Sequence, residues 1–219
     1  MPSSTTQTTT IQLPVQQITL EGELAIPDGA RAIVVFAHGS GSSRHSPRNQ
    51  FVAEELRNSG LATFLLDLLT PEEDIADQRT RALRFNIPML GQRVGQVVHA
   101  LIEQPATQNL HIGLFGASTG AAAALVAAAQ HPAKVGSVVS RGGRPDLAAD
   151  ALPKVQAPTL LIVGGRDLTV LELNQQAMGQ LNCTTQLETV PGATHLFEEP
   201  GALGQVAQLA ADWFNQYLS

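Results

Sequence analysis

Short apolar runs rich in β-branched residues recur along the chain and alternate with segments of helical periodicity. The runs occupy residues 32–37, 61–66, 110–115, 135–139 and 159–163, and a weaker one covers 185–190. Apolar residues spaced three and four apart fill 50–58, 89–103, 121–131, 170–181 and 203–218. Runs that are apolar on both faces are typical of buried parallel strands, which helices cover on each side. The alternation therefore predicts an α/β fold with a mostly parallel sheet and helices on both faces.

The beginning of the chain has a different pattern. Apolar and polar residues alternate from Ile11 to Pro27 around Glu21-Gly22, which predicts an antiparallel hairpin at one edge of the sheet. Residues 1–10 are mainly Ser, Thr and Gln, without the basic start and apolar stretch of a secretory signal, and we expect them to form a disordered tail. A length of 219 residues suits one domain, predicted here over 11–219.

The composition and charge of the chain limit the kinds of molecule that it is expected to bind. The longest apolar stretches are far shorter than the roughly 20 residues that a membrane span needs, and a net charge of −6 disfavours nucleic acid and anionic membrane. A small molecule is the expected partner. The single cysteine, Cys183, excludes an internal disulfide and favours a cytoplasmic setting. Nothing in the sequence determines the oligomeric state.

One long charged connection lacks a clean period. Residues 70–85 read TPEEDIADQRTRALRF. We interpret this segment as a solvated loop, with a flap over the active site as the alternative.

The pentapeptide GASTG at 116–120 matches the pattern GxSxG. It follows an apolar strand directly and opens an alanine-rich helix, which is the context of a nucleophile elbow. In such a turn the backbone at Ser118 is strained and larger residues two positions away would clash, which explains the glycines. The alternative is a serine that only caps the helix.

A serine hydroxyl needs a base to take its proton and an acid to orient that base. Asp167 lies just past the carboxyl end of the predicted strand 159–163, where ligands bind in open α/β sheets. His195 alone among the histidines follows Asp167 in the chain, and it lies in a glycine-containing turn. The sequence thus predicts Ser118, Asp167 and His195 as a catalytic triad. The alternatives are a helix cap for Asp167, with Asp146 or Asp150 as the acid, and a surface position for His195.

The tetrapeptide HGSG at 38–41 follows the first predicted parallel strand. Backbone N–H groups near Ser40 and at Thr119 are predicted to form an oxyanion hole. The turn does not fit GxGxxG, because Arg44 occupies the place of the third glycine. No histidine is spaced from Cys, Asp or Glu as in a zinc site.

Several longer segments carry a resemblance to a known family. These segments read FAHGSGSS, GLFGASTGAAAAL, VVSRGGRPDLA, LLIVGGRD and VPGATHLFEEP. From about Ile18 to Leu218 the chain resembles the dienelactone hydrolase branch of the α/β-hydrolases. The resemblance implies an eight-stranded sheet, no metal or organic cofactor, and hydrolysis through an acyl-enzyme. The namesake enzymes use a cysteine nucleophile with an assisting glutamate, whereas this chain has Ser118 and the loop HGSGSS. Similar domains also occur fused to phosphoribosyltransferases.

Three arginines are candidates for substrate binding. Arg141 and Arg144 follow a predicted parallel strand, and Arg44 follows the HGSG loop. A guanidinium group binds carboxylates and phosphates through its planar fork, so these arginines predict an anionic group on the substrate. The alternative is that they only solubilise the surface.

Taken together, these features favour a serine hydrolase that cleaves a small carboxylic ester or lactone. The short sequence between the strands 135–139 and 159–163 leaves no room for a large lid domain, which favours small substrates. Thioester cleavage or acyl transfer would use the same triad, and a catalytically silent binding module is the remaining alternative.

Overall fold

Eight strands form one sheet in the computed structural model, which describes residues 6–218. The strands are β1 (Thr8–Val15), β2 (Ile18–Ala25), β3 (Ala32–Ala37), β4 (Ala62–Leu66), β5 (His111–Ala117), β6 (Val135–Arg141), β7 (Thr159–Gly164) and β8 (Thr185–Val190). They lie in the order β1-β2-β4-β3-β5-β6-β7-β8. Strands β3 to β8 are parallel, while β1 pairs antiparallel with β2 and β2 with β4. This confirms the predicted mostly parallel sheet with an N-terminal antiparallel hairpin.

The details of the hairpin differ from the prediction. Its turn lies between Val15 and Ile18, with Gln16 at φ 56°, whereas Glu21-Gly22 lies inside β2. A Cβ on Gly22 would lie 2.1 Å from the Phe64 ring, so this glycine permits close packing of β2 against β4.

The predicted disordered tail also needs a correction. Strand β1 begins at Thr8, which pairs with Ala25, so residues 8–10 belong to the sheet. The three threonines at 8–10 favour an extended strand because they are β-branched, and β2 is long enough to pair with them. Residues 1–5 lie outside the described residues.

Six α-helices and a 3₁₀ segment connect the strands within residues 6–218. The helices are α1 (Pro47–Asn58), α2 (Pro71–Thr80), α3 (Ile87–Glu103), α4 (Thr119–Gln130), α5 (Leu168–Met178) and α6 (Ala202–Tyr217), and the 3₁₀ segment covers Pro145–Lys154. Five of these helices were predicted. Helix α1 begins three residues earlier than predicted, because the Ser46 side chain accepts the Asn49 N–H and Pro47 suits the first turn.

Residues 70–85 are not the solvated loop that the sequence favoured. Thr70 and Glu73 form a capping box that starts α2, and Arg81, in the left-handed conformation, ends the helix. Helix α2 has no apolar residues at regular helical spacing. Polar contacts hold this helix to the rest of the protein instead.

Helices cover both faces of the sheet, as predicted. One apolar layer joins α3 and α4 to residues such as Leu114 and Val138. The other joins α1 and α6 to residues such as Phe115 and Val139. Neighbouring residues of β6 thus belong to opposite layers, which is the alternation that a strand imposes. Within residues 6–218 no helix is long and apolar enough to cross a membrane.

Helix α4 is packed closely against α3. Residues Thr119–Ala128 of α4 are all buried. A Cβ on Gly91 of α3 would lie 2.4 Å from Val126 Cγ1, and one on Gly95 would lie 2.3 Å from His131 Nε2. The two glycines therefore set a short distance between the helices.

Candidate active site

Ser118 lies in a sharp turn between β5 and α4. Its backbone has φ 51° and ψ −120°, a conformation that non-glycine residues rarely adopt and that costs about 1–3 kcal/mol. Hydrogen bonds hold the turn, since the Ser118 N–H donates to the Arg141 carbonyl at 3.2 Å and the Ser118 carbonyl accepts the Ala121 and Arg144 N–H groups. The surrounding backbone therefore fixes the candidate nucleophile in a strained conformation.

The glycines around Ser118 leave no space for side chains. A Cβ on Gly116 would lie 2.3 Å from Ala121 Cα, and a Cβ on Gly120 would lie 2.2 Å from the Ala37 carbonyl oxygen. Both contacts are with backbone atoms that cannot move aside easily. The steric reason for GxSxG therefore holds in this chain, and Ser118 makes no side-chain capping bond to α4.

Asp167 and His195 form a hydrogen-bonded pair. Their atoms Oδ2 and Nδ1 lie 2.7 Å apart. The loops that carry them are also joined, because the Arg166 N–H donates to the Ala193 carbonyl at 2.9 Å and Gly164 lies against the same backbone. Although Asp167 precedes α5, its carboxylate makes no capping bond to that helix, and it binds the imidazole instead.

The end of strand β6 contacts both the Ser118 turn and the His195 loop. Arg141 accepts the Ser118 N–H, and the next residue, Gly142, lies against His195: a Cβ there would be 3.1 Å from the His195 carbonyl oxygen and 3.6 Å from Cε1. Among the described residues, the Ser118 hydroxyl and the His195 imidazole are not hydrogen-bonded to each other. The structure thus joins Asp167 to His195, and the adjacent residues Arg141 and Gly142 contact the Ser118 turn and His195 respectively.

The rival carboxylates have other environments. Asp146 accepts two hydrogen bonds of 2.8 Å from Arg144, and this pairing raises the pKa of the Arg144 guanidinium. Asp150 is exposed. Neither carboxylate contacts a histidine through a hydrogen bond within residues 6–218, so Asp167 remains the candidate acid.

The predicted oxyanion donors differ in their surroundings. The Thr119 N–H lies in the first turn of α4, where an N–H has no acceptor within the helix. The Ser40 N–H already donates to the Thr119 hydroxyl, at 2.8 Å. The sequence did not indicate this bond between two residues 79 positions apart.

His38 fixes the loop before Ser40 and was not singled out from the sequence. Its Nε2 accepts the Leu68 N–H at 3.0 Å, so its Nδ1 carries the hydrogen and donates to the Gly39 carbonyl at 2.8 Å. Burial lowers the pKa of His38, which keeps the ring neutral. In the sequence, the position of His38 directly after the strand β3 was the available indication of this role.

Two of the three predicted substrate arginines are held by carboxylates. Arg44 binds Asp67 and Glu21, the latter at 2.8 Å, and Arg144 binds Asp146. Carboxylates of the protein thus already neutralise Arg44 and Arg144, and binding of an anionic substrate group by these two arginines stays a prediction. Arg141 is buried, and its Nε and Nη1 have no hydrogen-bond partner within residues 6–218. Burial together with the nearby Arg48 lowers the pKa of Arg141 to about 10.

A cavity of about 150 Å³ lies beside Thr119. It extends from the loop 38–44 past residues 67–71 to α2. Four carboxylates and two arginines line it: Glu21, Asp67, Asp74, Asp77, Arg44 and Arg84. Within residues 6–218 no group of three or more His, Cys, Asp or Glu side chains could hold a metal ion.

Ion pairs hold α2 against this cavity. Arg93 donates to both carboxylate oxygens of Glu73, at 2.6 and 2.7 Å, and to the Leu68 carbonyl at 2.8 Å. Asp77 accepts from the Leu83 N–H and from Arg84 Nε. The segment 70–85 is therefore a fixed wall of the cavity in this structure.

Arg93→Met is expected to lower the free energy of unfolding by about 2 kcal/mol, because it removes the two hydrogen bonds to the Glu73 carboxylate and the one to the Leu68 carbonyl. Arg93 holds the pKa of Glu73 below its ordinary value, so this stabilisation is present at neutral pH and is lost as the pH falls through the lowered pKa. Urea unfolding measures the change. The matched control is Arg79→Met, on the exposed side of α2; equal effects of the two substitutions would contradict the anchoring role.

A family comparison identifies the fold. The model of the dienelactone hydrolase family matches residues 20–219. The chain belongs to this family. The resemblance found in the sequence is thereby confirmed.

Solved structures agree with the family assignment. The dienelactone hydrolase from Anabaena variabilis is 57% identical, with a TM-score of 0.96, over 98% of this chain and 99% of that chain. The protein Est1E from Butyrivibrio proteoclasticus has the same fold at 16% identity, with a TM-score of 0.78, over 94% of this chain and 98% of its own.

Curated relatives from two strains of Mycobacterium tuberculosis are 58% identical over 208 residues. They are provisionally named phosphoribosyl transferases. The match covers 95% of this dienelactone hydrolase family chain but 46% of each relative. The chain thus spans about half the length of these relatives.

Proposed function

We propose that this chain is a serine hydrolase that cleaves a small carboxylic ester or lactone through an acyl-enzyme on Ser118. Its membership of a hydrolase family supports the general activity. The observation that carries the serine mechanism is the strained turn at Ser118 together with a histidine that is hydrogen-bonded to a carboxylate, since both contact the segment Arg141-Gly142. These are the parts that make a hydroxyl nucleophilic.

In the proposed reaction His195 Nε2 takes the Ser118 hydroxyl proton while Oγ attacks the acyl carbon. The Asp167 carboxylate keeps the other imidazole nitrogen protonated and stabilises the imidazolium. Collapse of the tetrahedral intermediate breaks the bond to the leaving oxygen, which receives the proton from His195. Water then attacks the acyl-enzyme by the same proton transfers and releases the acid and the free serine.

The cavity beside Thr119 supports a small substrate. An engineered protein cavity of about 150 Å³ binds benzene, so a group of that size fits here. Carboxylates outnumber arginines on its wall, and both arginines are paired, so we propose that the group in this cavity is neutral. The 3₁₀ segment Pro145–Lys154 fills the connection from β6 to β7, as expected for a site without a large lid.

A fluorophosphonate tests this function, because only an activated serine reacts with it. We expect one adduct per chain, located on Ser118 by peptide mass spectrometry. The Ser137→Ala variant, which loses a buried serine of β6, serves as the control and should react like the unmodified chain. No labelling at neutral pH would instead support a silent binding module.

A panel of short esters, lactones and thioesters then defines the reaction. Each is offered neutral and with a free carboxylate, with and without an alcohol acceptor. Faster turnover of neutral esters or lactones supports the proposal. Preference for thioesters, or products formed only with the acceptor, would replace it by thioester cleavage or acyl transfer.

The name of the Mycobacterium tuberculosis relatives is not transferred to this chain. More than half of each relative has no counterpart here. The matched part has the hydrolase fold with its candidate serine site, and that site is the basis of the proposal.

A further inference from the structure

The Thr119 hydroxyl is hydrogen-bonded to one of the two predicted oxyanion donors, the Ser40 N–H. The length of this bond is 2.8 Å, Thr119 is 5% exposed, and this residue lines the cavity of about 150 Å³. The Ser40 N–H is the donor that the sequence assigned to the oxyanion. In the structure this N–H donates its hydrogen bond to the Thr119 side chain instead.

A hydroxyl group has two lone pairs and one hydrogen. One lone pair of Thr119 Oγ1 takes the Ser40 N–H, which leaves the hydrogen able to donate. Among the described residues no acceptor receives that hydrogen. Because Thr119 lines the cavity, a substrate oxygen there is a suitable acceptor.

We propose that the Thr119 hydroxyl donates a hydrogen bond to the oxyanion, together with the Thr119 N–H, and that the Ser40 N–H acts through this hydroxyl. This inference rests on the proposed serine hydrolase function. A hydroxyl that receives a hydrogen bond is a stronger donor, because hydrogen bonds in a chain polarise one another. The bond to Ser40 also holds the hydroxyl in place before the reaction, which is the condition for effective charge stabilisation.

The alternative is that the Thr119 hydroxyl blocks the oxyanion position, and this alternative predicts a different effect of removing the hydroxyl. The hydroxyl could occupy the oxyanion position in the resting enzyme and turn away when substrate binds, freeing the Ser40 N–H. That change would break the 2.8 Å bond and rotate a β-branched side chain in the first turn of a helix. A hydroxyl of that kind would obstruct the reaction, so its removal would raise the rate.

Thr119→Val separates the two arrangements, because valine keeps the shape and the backbone N–H but lacks the hydroxyl. We expect kcat for a neutral ester to fall about 100-fold, the effect of losing one oxyanion donor, with KM changed less than about threefold. Thr119→Ser restores the hydroxyl and should stay within about tenfold of the unmodified enzyme. Thr159→Val, which removes a buried threonine hydroxyl at the start of β7, is the matched control and should leave kcat unchanged.

A trifluoromethyl ketone provides a second measurement, because Ser118 converts it to a tetrahedral adduct with a negative oxygen. Thr119→Val should weaken this inhibitor about 100-fold but leave binding of the product acid unchanged. If the valine variant does not fold, Thr119→Ala is measured in the same way. Unchanged or higher kcat in a folded variant without the hydroxyl overturns the inference. An unmodified enzyme without esterase activity or labelling would refute the proposed function instead.

Discussion

Ser118→Ala is expected to lower kcat for ester hydrolysis by about 10⁴-fold or more, since it removes the atom that attacks the acyl carbon. The remaining oxyanion donors and His195 can only assist the slower attack of water. Steady-state kinetics on the best neutral ester of the panel measures the loss. Substrate binding, measured with a slowly cleaved amide analogue, should change little because the cavity is intact.

The fold of this variant should survive. Alanine meets the same backbone strain as serine at φ 51°, and the hydrogen bonds that hold the turn come from backbone atoms. The melting temperature is therefore expected to stay within a few degrees. Ser137→Ala should keep full activity. Retention of more than about one tenth of the activity by a pure Ser118→Ala preparation would refute the assignment of the nucleophile.

Asp167→Asn is expected to lower kcat by about 10⁴-fold, because the amide does not hold the imidazole in the required tautomer. In the structure the carboxylate accepts from His195 Nδ1 at 2.7 Å, which leaves Nε2 free to take a proton. An asparagine amide can donate to Nδ1 instead, and the ring hydrogen then moves to Nε2. The loss should appear in kcat, with KM changed by only a few fold.

Asp146→Asn is the matched control for this substitution. Asp146 lies after β6 and pairs with Arg144, so its loss should change kcat by less than about threefold. A large loss in the Asp146 variant, with little in the Asp167 variant, would exchange the roles of the two carboxylates. Comparison of the two variants also removes the general effect of one fewer negative charge.

Sequence periodicity was sufficient to predict the parallel sheet, because strands that are buried on both faces are continuously apolar. The runs at 32–37 and 159–163 correspond to β3 and β7 within one residue. Asp167 follows β7 and His195 follows β8, and the loops after these two parallel strands meet at one edge of the sheet. The candidate pair was therefore predictable without coordinates.

Features that depend on contacts between distant residues were not predictable in the same way. Helix α2 has no apolar period, and its anchor is the ion pair between Glu73 and Arg93. The sequence does contain a local sign of the helix start, the threonine and glutamate of the capping box. The carboxylate partners of Arg44 lie on β2 and after β4, so periodicity gave no indication that this arginine is neutralised.

The glycines of α3 have a consequence for how the reaction rate can change. Gly91 and Gly95 determine how near α4 comes to α3, and Ser118 directly precedes the first turn of α4. A larger residue in this helix contact would displace the whole buried helix along with its serine. Because a shift of about 1 Å in a reacting group can cost about 100-fold in rate, turnover depends on side chains that no substrate atom reaches. Substitutions at Gly91 or Gly95 are therefore expected to lower the turnover rate although neither glycine lines the cavity.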